Sequence, residues 1–138
     1  MSRSIVVDTS VIVAIVEAEP EAPAFEVALE QAQTKTVAAP SVIEAMMVLS
    51  RKRGADSADV VMGMLRAFEI QIVAFDEQFI PVAFNAFLRF GKGRHPAGLN
   101  FGDCFSYALA HSRGEPLLFK GQDFSATDLI SVIRQDVR

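Results

Sequence analysis

The stretch that decides the fold is Ile5-Val6-Val7-Asp8-Thr9-Ser10. An isoleucine and two valines in succession read as a short buried strand. Asp8 comes where that strand ends, and Thr9 and Ser10 offer hydroxyls able to cap a following helix. In an open α/β sheet, ligands sit just outside the carboxyl ends of the strands. An acid at this point therefore stands at the mouth of a site. From this stretch alone, capping the next helix is an equal role for Asp8.

Outward from Asp8, the run Val11 to Val16 is β-branched like a strand, but the hydroxyl pair before it and Glu17 after it favour a buried helix, closed by Pro20. Pro23 fits the first turn of a second helix to about Gln33, with Phe25, Ala28 and Leu29 on one face. Thr36-Val37-Ala38 reads as a second strand ended by Pro40. From Ser41, apolar residues at Val42, Ile43, Met46, Met47 and Leu49 predict a helix that stops at Gly54. Glu44 lies in its first turn, where the helix dipole favours an acid. It also borders the apolar face, where an unpaired charge is costly and a cation would relieve it.

A helix is predicted over about Ser57 to Phe68, capped by Asp56 or Ser57, and a third strand over Ile70 to Val73. Asp76 to Phe90 reads as one amphipathic, Phe-rich helix whose rings belong to the core or to a subunit interface. Gly91 to Gly98 is a loop. Phe101-Gly102-Asp103 opens a helix with Cys104, Phe105, Ala108 and Leu109 inward, ending at Arg113-Gly114. Pro116 to Phe119 gives a fourth strand, Lys120 to Phe124 turns away from its end, and the tail from Ser125 adds a small strand or helix. No repeat or linker interrupts this order, so residues 1–138 are expected to form one domain.

The 138 residues are 51% hydrophobic, enough for a real core. No run approaches the ~18 apolar residues of a spanning helix. The N-terminus lacks the pattern of a signal peptide, which predicts a cytoplasmic protein without membrane association. The single Cys104 excludes an internal disulfide and a multi-cysteine zinc site, and reads as a small core residue. A net charge of −4 excludes a generally basic nucleic-acid binder. Arg51-Lys52-Arg53 and the loop from Lys92 to His95 are the two local basic patches. His111 is expected on a helix surface, and His95 as a loop residue near phosphate at most.

On this map Asp8 and Asp123 follow strands, and Glu44 and Asp103 open helices. In a parallel sheet with right-handed crossovers those ends lie along one edge. Massed carboxylates need a counter-charge, and oxygen-only ligands select Mg²⁺ or Mn²⁺ over zinc. Such a site can activate water against a phosphoryl group.

Four segments in order carry a resemblance across essentially the whole chain: Val6-Val7-Asp8-Thr9-Ser10-Val11, Pro40-Ser41-Val42-Ile43-Glu44, Leu99 to Ala110 with Asn100-Phe101-Gly102-Asp103 at its start, and Pro116 to Phe124. The sequence resembles PIN domains and, among them, the VapC toxins of bacterial toxin–antitoxin pairs. The resemblance implies a three-layer α/β/α fold with a small, mainly parallel sheet of four to five strands flanked by helices. It implies a Mg²⁺-dependent endoribonuclease, with Mn²⁺ able to substitute, that hydrolyses RNA by a metal-activated water. Asp8, Glu44 and Asp103 would be the catalytic, metal-binding acids, directly or through water, and Asp123 would complete the quartet or hold a metal-bound water, with Thr9 and Ser10 orienting Asp8 or the water. A VapB-like antitoxin and a second copy of the chain would be its partners. Lys120, Arg94, Lys92 and Arg51 are the candidate RNA contacts. Phe119, Gly121 and Gln122 stand where family members often carry further acid, Asn or hydroxyl residues, which predicts a weaker fourth corner at Asp123. Alternative readings are a non-catalytic binding module on the same fold, or a metal-dependent nuclease acting on another nucleic acid. A haloacid-dehalogenase-type phosphatase would want a second aspartate where Ser10 stands.

Overall fold

Residues 3–133 are described by the computed structural model. β1 (Ser4–Val7) lies inside a sheet of four strands in the order β3-β2-β1-β4, with β2 (Thr34–Ala38), β3 (Gln71–Val73) and β4 (Leu117–Leu118). Every pairing is parallel. Strands buried on both faces need apolar residues at consecutive positions, and Ile5, Val6 and Val7 supply them. The pleat divides them: Ile5 and Val7 join one core, Val6 the other.

The first core is covered by α1 (Thr9–Val16), α2 (Ala22–Gln31), α3 (Ala39–Arg53) and α4 (Asp56–Ala67). Val11, Ile12, Phe25, Leu29, Leu49 and Leu65 fill it. The second is covered by α5 (Ile80–Phe90) and α6 (Phe101–Arg113), with Phe79, Phe90, Leu99 and Tyr107 against Val6 and Leu117. Helices on both faces of a parallel sheet make the three-layer α/β/α sandwich. The chain leaves β1 toward β2 and β3, then returns to add β4 on the other side of β1. That reversal is a topological switch point, and the crevice outside the carboxyl end of β1 is where such sheets bind ligands.

Local expectations shift in several places, each for a physical reason. The helix expected over Asp76–Phe90 starts as a 3-10 turn, Glu77–Phe79, and becomes α-helical only from Ile80. Pro81 in the first α-turn has no N–H and its ring would clash with the carbonyl four residues earlier, so the α-helix cannot begin sooner. Neither Asp56 nor Ser57 caps α4. Backbone carbonyls of Gly54 and Ala55 accept from the Ser57 and Ala58 amides instead. α3 begins at Ala39 rather than Ser41, because Pro40 fits the first turn of a helix, so Glu44 falls in the second turn and not in the first as expected. Its buried stripe is Val42, Ala45 and Leu49, whereas Ile43 (57% exposed) and Met47 (67%) form a second apolar stripe facing outward. After β4 the expected tail element is a 3-10 turn, Asp123–Ala126, followed by a single bridge of Ser131 to Leu117. The rest of the tail, 134–138, and residues 1–2 lie outside the described residues.

Candidate active site

β1 delivers Asp8 to the start of α1, where it is the N-cap: its Oδ2 accepts from the Ser10 amide at 3.0 Å and the Ser10 hydroxyl at 2.6 Å. Its Oδ1 accepts from the Ser106 hydroxyl at 2.5 Å, a residue 98 positions away on α6. Asp8 is only 5% exposed, and a buried carboxylate needs such donors. The capping role and the site role thus fall on the same side chain. Ser10 is itself fixed from the neighbouring strand, since its Oγ accepts at 2.9 Å from the amide of Lys120, just after β4.

α3 starts directly after β2 and carries Glu44 to the same edge. Thr9 Oγ1 lies 2.9 Å from both the Ser41 carbonyl and Glu44 Oε1, so one proton is shared between two acceptors. Thr9 therefore holds Glu44, while Ser10 holds Asp8. Burial raises the Glu44 carboxyl above its ordinary range, the Thr9 hydrogen bond opposes this, and the charge of Asp8 adds to the rise.

α6 presents Asp103 from its first turn through a capping box: Asn100 Oδ1 accepts from the Asp103 amide at 2.9 Å, and Asp103 Oδ2 accepts from the Asn100 amide at 3.0 Å. Asp103 is pushed up to about 7. Burial is the largest cause. The Asn100 amide opposes it, and the charges of Asp8, Asp123 and Glu44 add to it. A carboxyl poised near neutrality by burial and by its neighbours' charge, in a cleft, is a functional-site candidate.

Asp8, Thr9, Ser10, Glu44, Asp103 and Lys120 line one open cleft of about 320 Å³, together with Glu19, Val13 and Val48. Asp123 is exposed on the 3-10 turn after β4 and does not line this cleft; it reaches the cluster through its charge on Asp103. The Lys120 ammonium is engaged by Glu19 at 2.9 Å and Glu21 at 3.5 Å. Arg51 borders the adjoining groove that Glu44 shares with Ile43, Met47 and Phe101. Lys92 and Arg94 stand exposed on the loop after α5, the Arg94 guanidinium 5.2 Å over the Phe87 ring. His95 is built into that loop, its Nδ1 accepting from the Ala97 amide at 3.0 Å, and His111 stacks on Tyr107. Burial, then the charge of Asp103, pushes the Cys104 thiol up, against any nucleophilic use of it.

The donor set of the cleft is oxygen throughout, the chemistry of a hard divalent cation. Among the described residues no three of His, Cys, Asp and Glu form a ready-made ligand cage. Asp8, Glu44 and Asp103 are instead held by protein donors in their present rotamers. Mg²⁺ keeps several waters and is commonly held by one or two carboxylates, so a cleft of mutually repelling acids fits it without such a cage. The residue that sequence reasoning missed is Ser106. A serine inside a largely apolar helix face is an unusual choice, and that was the signal available.

The PIN domain family model matches residues 5–129. The chain is 42% identical over 127 residues to Ribonuclease VapC of Mycolicibacterium smegmatis, covering 92% of this chain and 98% of that relative. It is 40% identical to Ribonuclease VapC30 of Mycobacterium tuberculosis over 92% and 97% of the two chains. Among solved structures it is similar in fold to Mycobacterium tuberculosis VapC20, described as a sarcin–ricin loop cleaving toxin, with a TM-score of 0.75, 17% identity and 91% and 96% of the chains covered. VapBC2 from Rickettsia felis, bound to a DNA fragment from its promoter, aligns with a TM-score of 0.71 and 11% identity over 93% and 96%. No helix among the described residues is long and apolar enough to cross a membrane. The chain belongs to the PIN-domain family and, within it, to the VapC ribonucleases.

Proposed function

We propose that this VapC-family ribonuclease is a Mg²⁺-dependent endoribonuclease, with Mn²⁺ able to substitute, and the toxin of a toxin–antitoxin pair. One observation carries the reading. Three carboxylates from three separate elements, Asp8, Glu44 and Asp103, line one cleft at the switch point, where burial and then the charges of Asp8, Asp123 and Glu44 push Asp103 up to about 7. Asp8, Glu44 and Asp103 would hold the cation, directly or through water, with Asp123 contributing charge from the rim. When bound, the cation supplies an activated water and neutralises charge on the scissile phosphodiester.

The chain's own residues have separate tasks. Ser10 and Ser106 fix both oxygens of Asp8 as acceptors, so its charge faces the cleft in one orientation. Thr9 does the same for Glu44. Lys120 partners Glu19, another acid of the cleft wall, and so limits the negative charge that a phosphodiester must approach. RNA backbone contacts fall to Arg51 beside the cleft, with Lys92 and Arg94 farther out. The partners we assign are a VapB-type antitoxin and a second copy of the chain, in the cytoplasm. Exposed Ile43, Met47, Phe84 and Phe101 leave apolar surface for such partners to cover.

The test incubates purified, antitoxin-free protein with a pool of structured RNAs in Mg²⁺, Mn²⁺ or EDTA, alongside Asp8→Asn and Asp103→Asn. Cleavage that requires the cation and vanishes in both variants supports the reading. Folded, cation-binding protein that cleaves no RNA and does not arrest growth on expression supports a binding module instead.

A further inference from the structure

Gly102 is the second residue of α6, inside a regular helix, where its backbone conformation is open to any residue. Glycine is the poorest helix former after proline, so with no special backbone angle at Gly102 the space at its Cβ position is what could favour it there. A Cβ built on Gly102 would fall 2.3 Å from Glu44 Oε2, 2.5 Å from Oε1 and 2.6 Å from Cδ. The whole carboxylate of Glu44 occupies the place of the missing side chain. Gly91 is the other closely blocked glycine among the described residues, and there the obstruction is the Phe87 main chain as well as its ring, a matter of loop closure. At Gly102 the nearest obstruction is one acid of the cleft, at the tip of a flexible side chain.

We infer that Gly102 is a positioning residue: its absent side chain is the seat that holds the Glu44 carboxylate at the edge of the cleft, where the Thr9 hydroxyl also binds it. This rests on the reading of the cleft as a cation site. Two features define the seat, the Thr9 hydroxyl 2.9 Å from Glu44 Oε1 and the space left open at Gly102, which the carboxylate fills. An added methyl cannot push back the helix backbone, but it can swing Glu44 away. Gly102→Ala is therefore expected to fold and to misplace one acid, a separation of effects that truncating Glu44 itself does not offer.

The experiment compares Gly102→Ala, Glu44→Ala, the double variant and Gly63→Ala. Gly63 is a helical glycine in α4 with open space at its Cβ position, so it reports the general effect of Gly→Ala in a helix. Mn²⁺ affinity is read by calorimetry, and unfolding midpoints are read in metal-free buffer. Gly102→Ala is expected to weaken Mn²⁺ binding about tenfold or more, to the level of Glu44→Ala. The double variant is expected to bind no more weakly than Glu44→Ala alone, and Gly63→Ala to bind as the parent. In the unfolding data, Gly102→Ala is expected to raise the midpoint in the Glu44→Ala background, where the seat is vacant, but not in the parent. Parent-like Mn²⁺ affinity in Gly102→Ala, with Glu44→Ala weakened, would overturn the inference. So would a Gly102→Ala loss carried undiminished into the Glu44→Ala background. If Glu44→Ala leaves Mn²⁺ affinity untouched, the cation role of Glu44 is what fails, and the midpoints alone decide the seat: background-dependent shifts support it and equal shifts overturn it.

Discussion

Asp8 and Asp123 follow neighbouring parallel strands, β1 and β4, yet Asp8 is 5% exposed with donors on both oxygens while Asp123 stands exposed on a 3-10 turn. Their addresses in the sheet are similar, and their surroundings are not. Asp8 enters α1 at once, so its carboxylate is trapped between the α1 amides and α6. After β4 the chain first bends through Lys120, Gly121 and Gln122, with Gly121 at a φ of 99° that favours glycine, and Asp123 emerges exposed, outside the cleft lining. The end of a strand selects the neighbourhood of a site. Donors that reach the side chain decide which acid is held in it.

The sharpest way to break this contrast is to neutralise each acid in turn. Asp8→Asn is expected to lower RNA cleavage by at least about 100-fold, because it removes charge from the cleft and turns an amide toward donors that need an acceptor. Asp123→Asn is expected to cost less than about tenfold, since Asp123 is exposed outside the cleft lining and touches the cluster through its charge on Asp103. Equal losses in single-turnover cleavage would show that the exposed acid works as hard as the buried one.

Next in size is the donor that distinguishes Asp8 from across the fold. Ser106→Ala leaves Asp8 Oδ1 without its hydroxyl. The expected cost is about 1–3 kcal/mol of stability, from a charged acceptor losing a buried donor, and a roughly 10- to 100-fold loss in cation affinity. Urea unfolding and Mn²⁺ titration measure the two. A variant unchanged in both would mean that Ser10 alone suffices to hold Asp8.

Asp103 sharpens the comparison through pH. The folded protein holds its carboxyl at about 7 against an ordinary 3.8, so near neutrality it keeps a proton that the unfolded chain has released. In metal-free buffer, the contribution of this group to stability falls as pH rises from about 4 to about 7, then levels off. Cation affinity runs the other way, climbing through about 7 as the proton leaves. Asp103→Asn is expected to flatten the stability slope in that window. Unfolding midpoints across the window check this, and a flat parent profile would contradict it.

How much of this was legible in the sequence depended on the range of the interaction involved. Asp8 was readable because strand, acid and hydroxyls are adjacent residues. Glu44 and Asp103 were readable because each lies in a short motif near the start of its helix, Asp103 in the first turn and Glu44 in the second. Ser106 was not, because its role exists only through a contact 98 residues away. Periodicity along α3 showed apolar residues but not which stripe is covered: Val42, Ala45 and Leu49 turn inward, and Ile43 and Met47 turn out. The seat at Gly102 was equally hidden, since a glycine in a helix says nothing of the side chain that arrives from another helix.

Lys120 gives the smallest expected effect and isolates the main chain from the side chain at the end of β4. Its amide supports Ser10, and through Ser10 supports Asp8; its ammonium pairs with Glu19 and Glu21 on the partly exposed rim. Lys120→Gln keeps the amide and removes the charge. If the main chain is what serves the site, this variant should retain Mn²⁺ affinity within about twofold and cleavage within about tenfold, with little change in unfolding midpoint, since exposed ion pairs contribute little. Lys120→Pro removes the N–H that Ser10 accepts, and it should lower Mn²⁺ affinity well beyond Lys120→Gln. The order of the two variants is the discriminating measurement. A larger loss in Lys120→Gln would make the ammonium, rather than the chain of hydrogen bonds behind Asp8, the contribution of β4 to the cleft.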